Sequence, residues 1–222
     1  MVEKSRQRGR PRSYDPETAL DSAARLFWAK GYADTTLDEL SAAMGMGRPS
    51  IYNAFGDKEA LFLLALRRYR ETVGSSPLRA MNAEESVRDG LDAFFAQIVE
   101  YTTADISHLG CLLGSTAAVT DLPDVQAYLE TNLEAYQTDI VDYLSAAVRS
   151  GQLPSGYPTV QGARRAVNAM LSLTARARLG APRQQLLADA ADATSQVLEL
   201  QPPTETSRPP LTIDGGKPEN RV

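Results

Sequence analysis

The sequence predicts an all-α protein, with an N-terminal three-helix helix-turn-helix domain followed by a larger helical domain, about nine helices in all. Three observations carry that expectation. Apolar residues recur at helical spacing along most of the chain, and no segment alternates as a strand does. Helix starts and stops are punctuated by Asp, Thr, Pro and Gly at the positions where such residues cap or break helices. Between Thr35 and Lys58 two short helical patterns are joined by a glycine-marked turn, the shape that places a helix in the major groove of DNA.

Residues 1–14 are basic and nearly devoid of apolar side chains, so they read as a flexible arm. Folding is expected to begin at Asp15, an N-cap with Pro16 at the first helical position. Leu20, Ala23, Ala24 and Phe27 follow on one face until Gly31. Thr36 caps a second helix with Glu39 as capping-box partner and Leu37, Leu40 and Met44 as its apolar side; Gly45 and Gly47 end it. Pro49 opens a third helix, in which Ile51 and Phe55 at i, i+4 face inward. Asp57 caps a fourth, with Leu61, Leu64 and Ala65 inward, Arg67, Arg68 and Arg70 toward water, and a stop or linker at 74–77. Helical stretches are then expected near 84–103, 108–119, 123–149, 158–179 and 182–199. The domains drawn from this are an arm (1–14), a helix-turn-helix domain (15–73), a helical body (74–200) and a Pro-, Gly- and polar-rich disordered tail (201–222).

Charge is divided unevenly. The chain carries a formal −5, yet residues 1–70 hold 12 Lys and Arg against 9 Asp and Glu, and the remainder 11 against 19. A positive head on an acidic body points to phosphate contact by the head alone. One cysteine excludes an internal disulfide framework, and no apolar run approaches 18 residues, so a cytoplasmic protein without a membrane span is expected. A single His and a single Cys, with no phosphate-cradling Gly loop and no metal-ligand spacing, argue against an enzyme, a metal site or a cofactor.

With Ile51 and Phe55 inward, 100° per residue leaves Arg48, Ser50, Asn53 and Ala54 outward. Arg can pair with guanine, Asn with adenine, Ser with either base, and the Ala methyl can meet thymine. Tyr52, Thr36 and Lys58 suit backbone phosphates, aided by the amides at the start of the fourth helix. In Arg8-Gly9-Arg10-Pro11-Arg12 the arginines fit a narrow minor groove, or equally any phosphate. Each of these side chains taken singly also fits a solvated helix face.

The segment TTLDELSAAMGMGRPSIYNAFGDKEALF, with ALDSAARLFWAKGYADTT before it, resembles the N-terminal domain of TetR-family transcriptional regulators over residues 15–66. Gly47 stands where that family commonly has serine, and Asn53 where it commonly has histidine. The resemblance implies a homodimer on double-stranded operator DNA, with Thr36, Arg48, Ser50, Tyr52, Asn53 and Lys58 at contact positions. It also implies an unknown small-molecule effector held by the C-terminal domain. The two last long helices, rich in alanine (Ala163, Ala166, Ala169, Ala175, Ala190, Ala191, Ala193), would then pair across the twofold as a four-helix bundle, or else form ordinary intrachain core.

Phe94, Phe95, Ile98, Tyr101, Cys111, Leu112, Tyr128 and Tyr136, with Leu113 and Tyr143, form an apolar set that suits either an effector pocket or plain core. Cys111, three residues after His108, reads either as a thiol sensor or as a buried small hydrophobe. The function expected is a dimeric repressor released from its operator by an effector. An activator, an effector-independent DNA binder, or a helical protein-interaction module are the competing readings.

Overall fold

The computed structural model describes residues 14–105, 110–116 and 120–200. Among these residues there is no strand, and the order is α1 (Pro16–Lys30), α2 (Leu37–Met44), α3 (Arg48–Phe55), α4 (Lys58–Tyr69), a π turn (Arg70–Gly74), α5 (Ser76–Asn82), α6 (Val87–Thr103), a second π turn (Leu112–Thr116), α7 (Pro123–Arg149), α8 (Thr159–Arg178) and α9 (Arg183–Leu198). The arm with Arg8, Arg10 and Arg12, the tail and His108 lie outside the described residues.

Local chemistry sets the head. Asp15 accepts the Thr18 amide at 3.2 Å and Pro16 opens α1, which closes on Gly31. Thr36 and Glu39 form a full capping box at the start of α2: the Thr36 amide donates to Oε2 of Glu39 at 2.9 Å, and the Glu39 amide to Oγ1 of Thr36 at 3.3 Å. Glu39 also pairs with Lys30, so the cap of α2 is tied to the last turn of α1. Gly45, at φ +62°, ends α2 in the left-handed region where an L side chain is strained. The Met46 amide then returns to the Ser41 carbonyl at 3.1 Å while the Ser41 hydroxyl donates to the Met46 carbonyl, which closes the turn into α3.

α4 packs along α1. Phe27, Phe62, Leu61, Ala65 and Leu66 are fully buried between them, and Phe27 meets Phe62 at 4.7 Å between ring centroids. The sequence pattern put Leu64 inward and Arg68 in water; the structure reverses both. Leu64 is 36% exposed. Arg68 lies back on α1, its guanidinium 2.8 Å from Asp21 and 3.0 Å from Glu17. Such partners sit 47 and 51 residues away in sequence, beyond the reach of any helical-phase argument.

The expected linker at 74–77 is replaced by continuous structure. The chain widens into the π turn and re-enters helix at Ser76, with Pro77 in the first turn of α5, where its missing N–H costs nothing. Tyr136 of α7 holds this junction by donating to the Gly74 carbonyl at 2.6 Å. The helix expected near 108–119 appears, among the described residues, only as the short π turn Leu112–Thr116.

In the body α6 runs against α5, α8 and α9, and α8 packs on α7 and α9. Phe94, Phe95 and Ile98 of α6, Ile140 and Leu144 of α7, Ala163 and Ala166 of α8, and Leu186 of α9 are fully buried in one cluster. Tyr157 donates to the Val197 carbonyl at 2.6 Å, and Arg176 pairs with Asp189 at 2.5 Å across α8 and α9. Gly90 permits close approach: a Cβ there would overlap the Tyr143 hydroxyl and stand 2.8 Å from the Met81 carbonyl oxygen.

Two expectations follow. Gly90→Ala should destabilise the fold by about 1–3 kcal/mol, the range for overpacking a tight contact, because the Met81 carbonyl belongs to backbone and cannot swing away; thermal melting that leaves the midpoint unchanged would refute the contact. Lys30 first, then the Thr36 amide and hydroxyl, hold the Glu39 carboxyl at about 2 against an ordinary 4.5. A folded value below the unfolded one gives stabilisation that is whole above pH 4.5 and is lost as the pH falls through about 2. Glu39→Gln should therefore flatten the acid dependence of stability in that window, and superimposable acid-unfolding curves would contradict it.

Candidate nucleic-acid interface and interior cavity

α3 is anchored by two side chains. Ile51 is fully buried and Phe55 nearly so, with Tyr14 tilted against Phe55 at 6.2 Å. The opposite face is open: Arg48, Ser50, Asn53 and Ala54 are all exposed, and Tyr52 is 49% exposed. The polar stripe therefore points outward, away from the packed face of the helix.

The individual positions differ in how ready they are for phosphate or base. Arg48 reaches back to α2, its Nε donating to Oδ1 of Asp38 at 2.7 Å, so the guanidinium is held in a fixed plane, with its pKa raised by that hydrogen bond. Gly47 caps α3 with no side-chain hydrogen bond. Thr36 is exposed, but its hydroxyl already serves the capping box. Lys58, on the first turn of α4, stands 4.3 Å above the Tyr32 ring, which in turn leans on Phe62 at 5.1 Å. Burial pushes the Lys58 pKa down, against the pull of Asp34. The amides at the start of α4 are less available than the sequence suggested, because Asp57 already accepts from the Ala60 amide at 2.9 Å and brings a negative charge to that terminus. Lys58 is the cation at that terminus, held by the Tyr32 ring.

A cavity of about 420 Å³ lies among α6, α7, α8 and the two π turns. Of the residues the sequence proposed for a pocket, Tyr101, Cys111, Leu113 and Tyr136 line it. Phe94, Phe95, Ile98 and Leu112 do not: all four are fully buried within the packed cores and off the cavity wall. The same helical periodicity marks a core side chain and a lining one, so spacing had no means of separating them. Tyr128 is off the wall too, under the Arg67 guanidinium at 5.5 Å. The remaining wall comes from residues the sequence did not single out for it, including Arg70, Asn132, Met170, Leu171 and Thr174.

Cys111 occupies two places at once. It lines the cavity and is also packed into the head's core with Leu112 and Val125. Its sulfur accepts from the Tyr69 hydroxyl at 3.6 Å and the Gly114 amide at 3.5 Å. Tyr69 stands edge-on to Trp28 of α1 at 5.0 Å, and Arg178 of α8 donates to the Trp28 carbonyl at 3.2 Å. The cavity and the head thus meet at the end of α4. Burial keeps the Tyr69, Tyr101 and Tyr136 phenols protonated by raising their pKa values.

Among the described residues no group of three or more His, Cys, Asp or Glu is placed to hold a metal, and no helix is long and apolar enough to cross a membrane.

Comparison with known proteins agrees with this geometry. Residues 19–65 match the family model for bacterial regulatory proteins of the tetR family. The HTH-type transcriptional repressor ComR of Escherichia coli is 31% identical over 152 residues, covering 67% of this chain and 72% of ComR. The repressor BdcR of the same organism is 28% identical, over 90% of this chain and all of BdcR. Among solved structures, a cysteine mutant of the TetR-family regulator CifR, complexed with 26-bp operator DNA, superposes with a TM-score of 0.77 at 29% identity, over 84% of this chain and 98% of CifR. A helix-turn-helix head with an outward polar third helix, on a helical body that matches these regulators across most of their length, places the chain in the TetR family of transcriptional regulators.

Proposed function

We propose that the protein is a dimeric repressor whose α3 reads operator DNA and whose affinity falls when a small molecule occupies the cavity. The observation that carries this reading is the exposure of Ser50 and Asn53 on a helix pinned by buried Ile51 and Phe55. Asn53 would pair with adenine, Arg48 with guanine, and Ser50 with either base, while Thr36, Tyr52 and Lys58 would meet phosphates. Arg8, Arg10 and Arg12 would add minor-groove or phosphate contact from the arm. ComR and BdcR are both repressors by name, and the CifR structure is a complex with operator DNA, which supports the same role here.

One short helix reads few bases, so a twofold dimer is needed to place two heads about 34–36 Å apart, one DNA turn. Ala163, Ala166, Ala190 and Ala193 are used up inside the chain's own core. Exposed Ala175, Leu179, Leu187 and Ala191 on or beside α8 and α9 remain for a partner copy. In this proposal a ligand among the middle helices shifts the end of α4 through Tyr69, and with it the spacing of the two heads. A ligand that lowers operator affinity tenfold must favour the displaced state by about 1.4 kcal/mol. The protein would work in the cytoplasm, without a catalytic role.

The test is a gel shift on the DNA upstream of its own gene, where a salt-sensitive, sequence-selective complex is expected; its absence would favour the protein-interaction reading. Asn53→Ala should cost about 1–3 kcal/mol of discrimination at one base pair. Lys58→Met keeps a side chain against Tyr32 and should weaken all sequences alike, lowering the salt slope by about 1. Unchanged base preference in the first variant, or unchanged slope in the second, would remove that residue from the interface.

A further inference from the structure

We propose that the cavity takes a small anionic amphiphile, a carboxylate on an apolar body, and that Arg70 is its anchor; this deepens the effector reading above and rests on it. The wall is mostly hydrocarbon, from Leu113, Leu129, Leu133, Met170 and Leu171, and it contains no Asp or Glu. One cation enters it, Arg70. Three other arginines that tie helices together do so through carboxylates: Arg68 with Asp21, Arg176 with Asp189, Arg183 with Glu100. Arg70 makes no ion pair among the described residues, and its Nε is buried without a hydrogen-bond acceptor. Its guanidinium lies 4.7 Å over the Tyr136 ring, which fixes the plane but accepts nothing from the N–H groups in that plane. Arg70 also borders a wider surface hollow that Asp139 and Asp142 help to line, both of them exposed.

A buried guanidinium N–H without an acceptor is costly, and a carboxylate satisfies it with a charge-assisted, often bidentate pair. A cationic ligand would meet Arg70 with no counterion on the wall. The cavity of about 420 Å³ falls within the ordinary size range of small-ligand sites and accommodates a medium-chain acid. Location adds a consequence: Arg70 opens the π turn directly after Tyr69, the residue that touches Trp28 of the head. Pairing with a carboxylate there pulls on the end of α4.

The experiment titrates the full-length protein with sodium octanoate and with octanamide, its neutral counterpart, by calorimetry, and follows operator release in parallel. Octanoate should bind about tenfold tighter or better. Arg70→Met should erase that preference while leaving octanamide affinity within about threefold, and Arg70→Lys should restore part of it. Leu171→Trp, which fills the cavity, should abolish octanoate binding. Equal affinities in the wild type, a preference that survives Arg70→Met, octanoate binding undiminished by Leu171→Trp, or binding of neither compound would each overturn the anchor. Operator release by octanamide as efficient as by octanoate would also overturn it, yet would leave the effector reading standing, so the two failures are distinguishable.

Discussion

The structure depends on one shared core. Tyr69, at the last turn of α4, packs edge-on against Trp28 of α1 and gives its hydroxyl to the Cys111 sulfur. Cys111, Leu112 and Val125, all from the body, belong to the same buried cluster as Phe27, Leu40, Ile51 and Phe62 of the head. A three-helix unit of this size buries little apolar surface by itself. Segments from beyond residue 110 supply part of what it needs. The head's orientation is therefore fixed by the body, and any displacement of the Cys111 segment is felt where α4 meets α1.

On the outer side the constraint is electrostatic as well as steric. α3 is too short to hold its place by propensity alone; it depends on Ile51 and Phe55 and on the closed turn at Gly45 and Met46. Its exposed polar face has no apolar competitor, and the Asp38 pair orients Arg48. Lys58 is positioned by an aromatic stack rather than by a carboxylate, so its charge remains available to phosphate. Arg48 and Lys58 are thus held at the outer side of the head although the chain as a whole is acidic.

Much of this was legible in the residues. The caps at Asp15, Thr36 and Asp57, the φ-demanding Gly45 and the i, i+4 pair Ile51 and Phe55 are local signals, and each produced the element it marks. What stayed hidden depends on contacts distant in sequence or on broken phase. Arg68 was assigned to water because Glu17 and Asp21 are brought to it only by the packing of α4 on α1. Arg70 was assigned to water although it follows buried Leu66 by one helical turn, because the cavity it borders exists only once α6, α7 and α8 are packed. Pro77 read as a stop, yet a proline in the first turn is equally a start, and only the Tyr136 bond to Gly74 shows which. Tyr101, Cys111 and Tyr136 were separable from Phe94, Phe95 and Ile98 only once α6, α7 and α8 had been set against one another.

Native-state hydrogen exchange under increasing denaturant tests the shared core most directly. If the body completes the head, the protected amides of α1 and α4 should open together with those at the start of α7, in one cooperative unit with a common free energy. Amides of α1 and α4 that exchange at markedly lower denaturant, while α7 stays protected, would show a head that stands on its own core and would contradict the coupling described above.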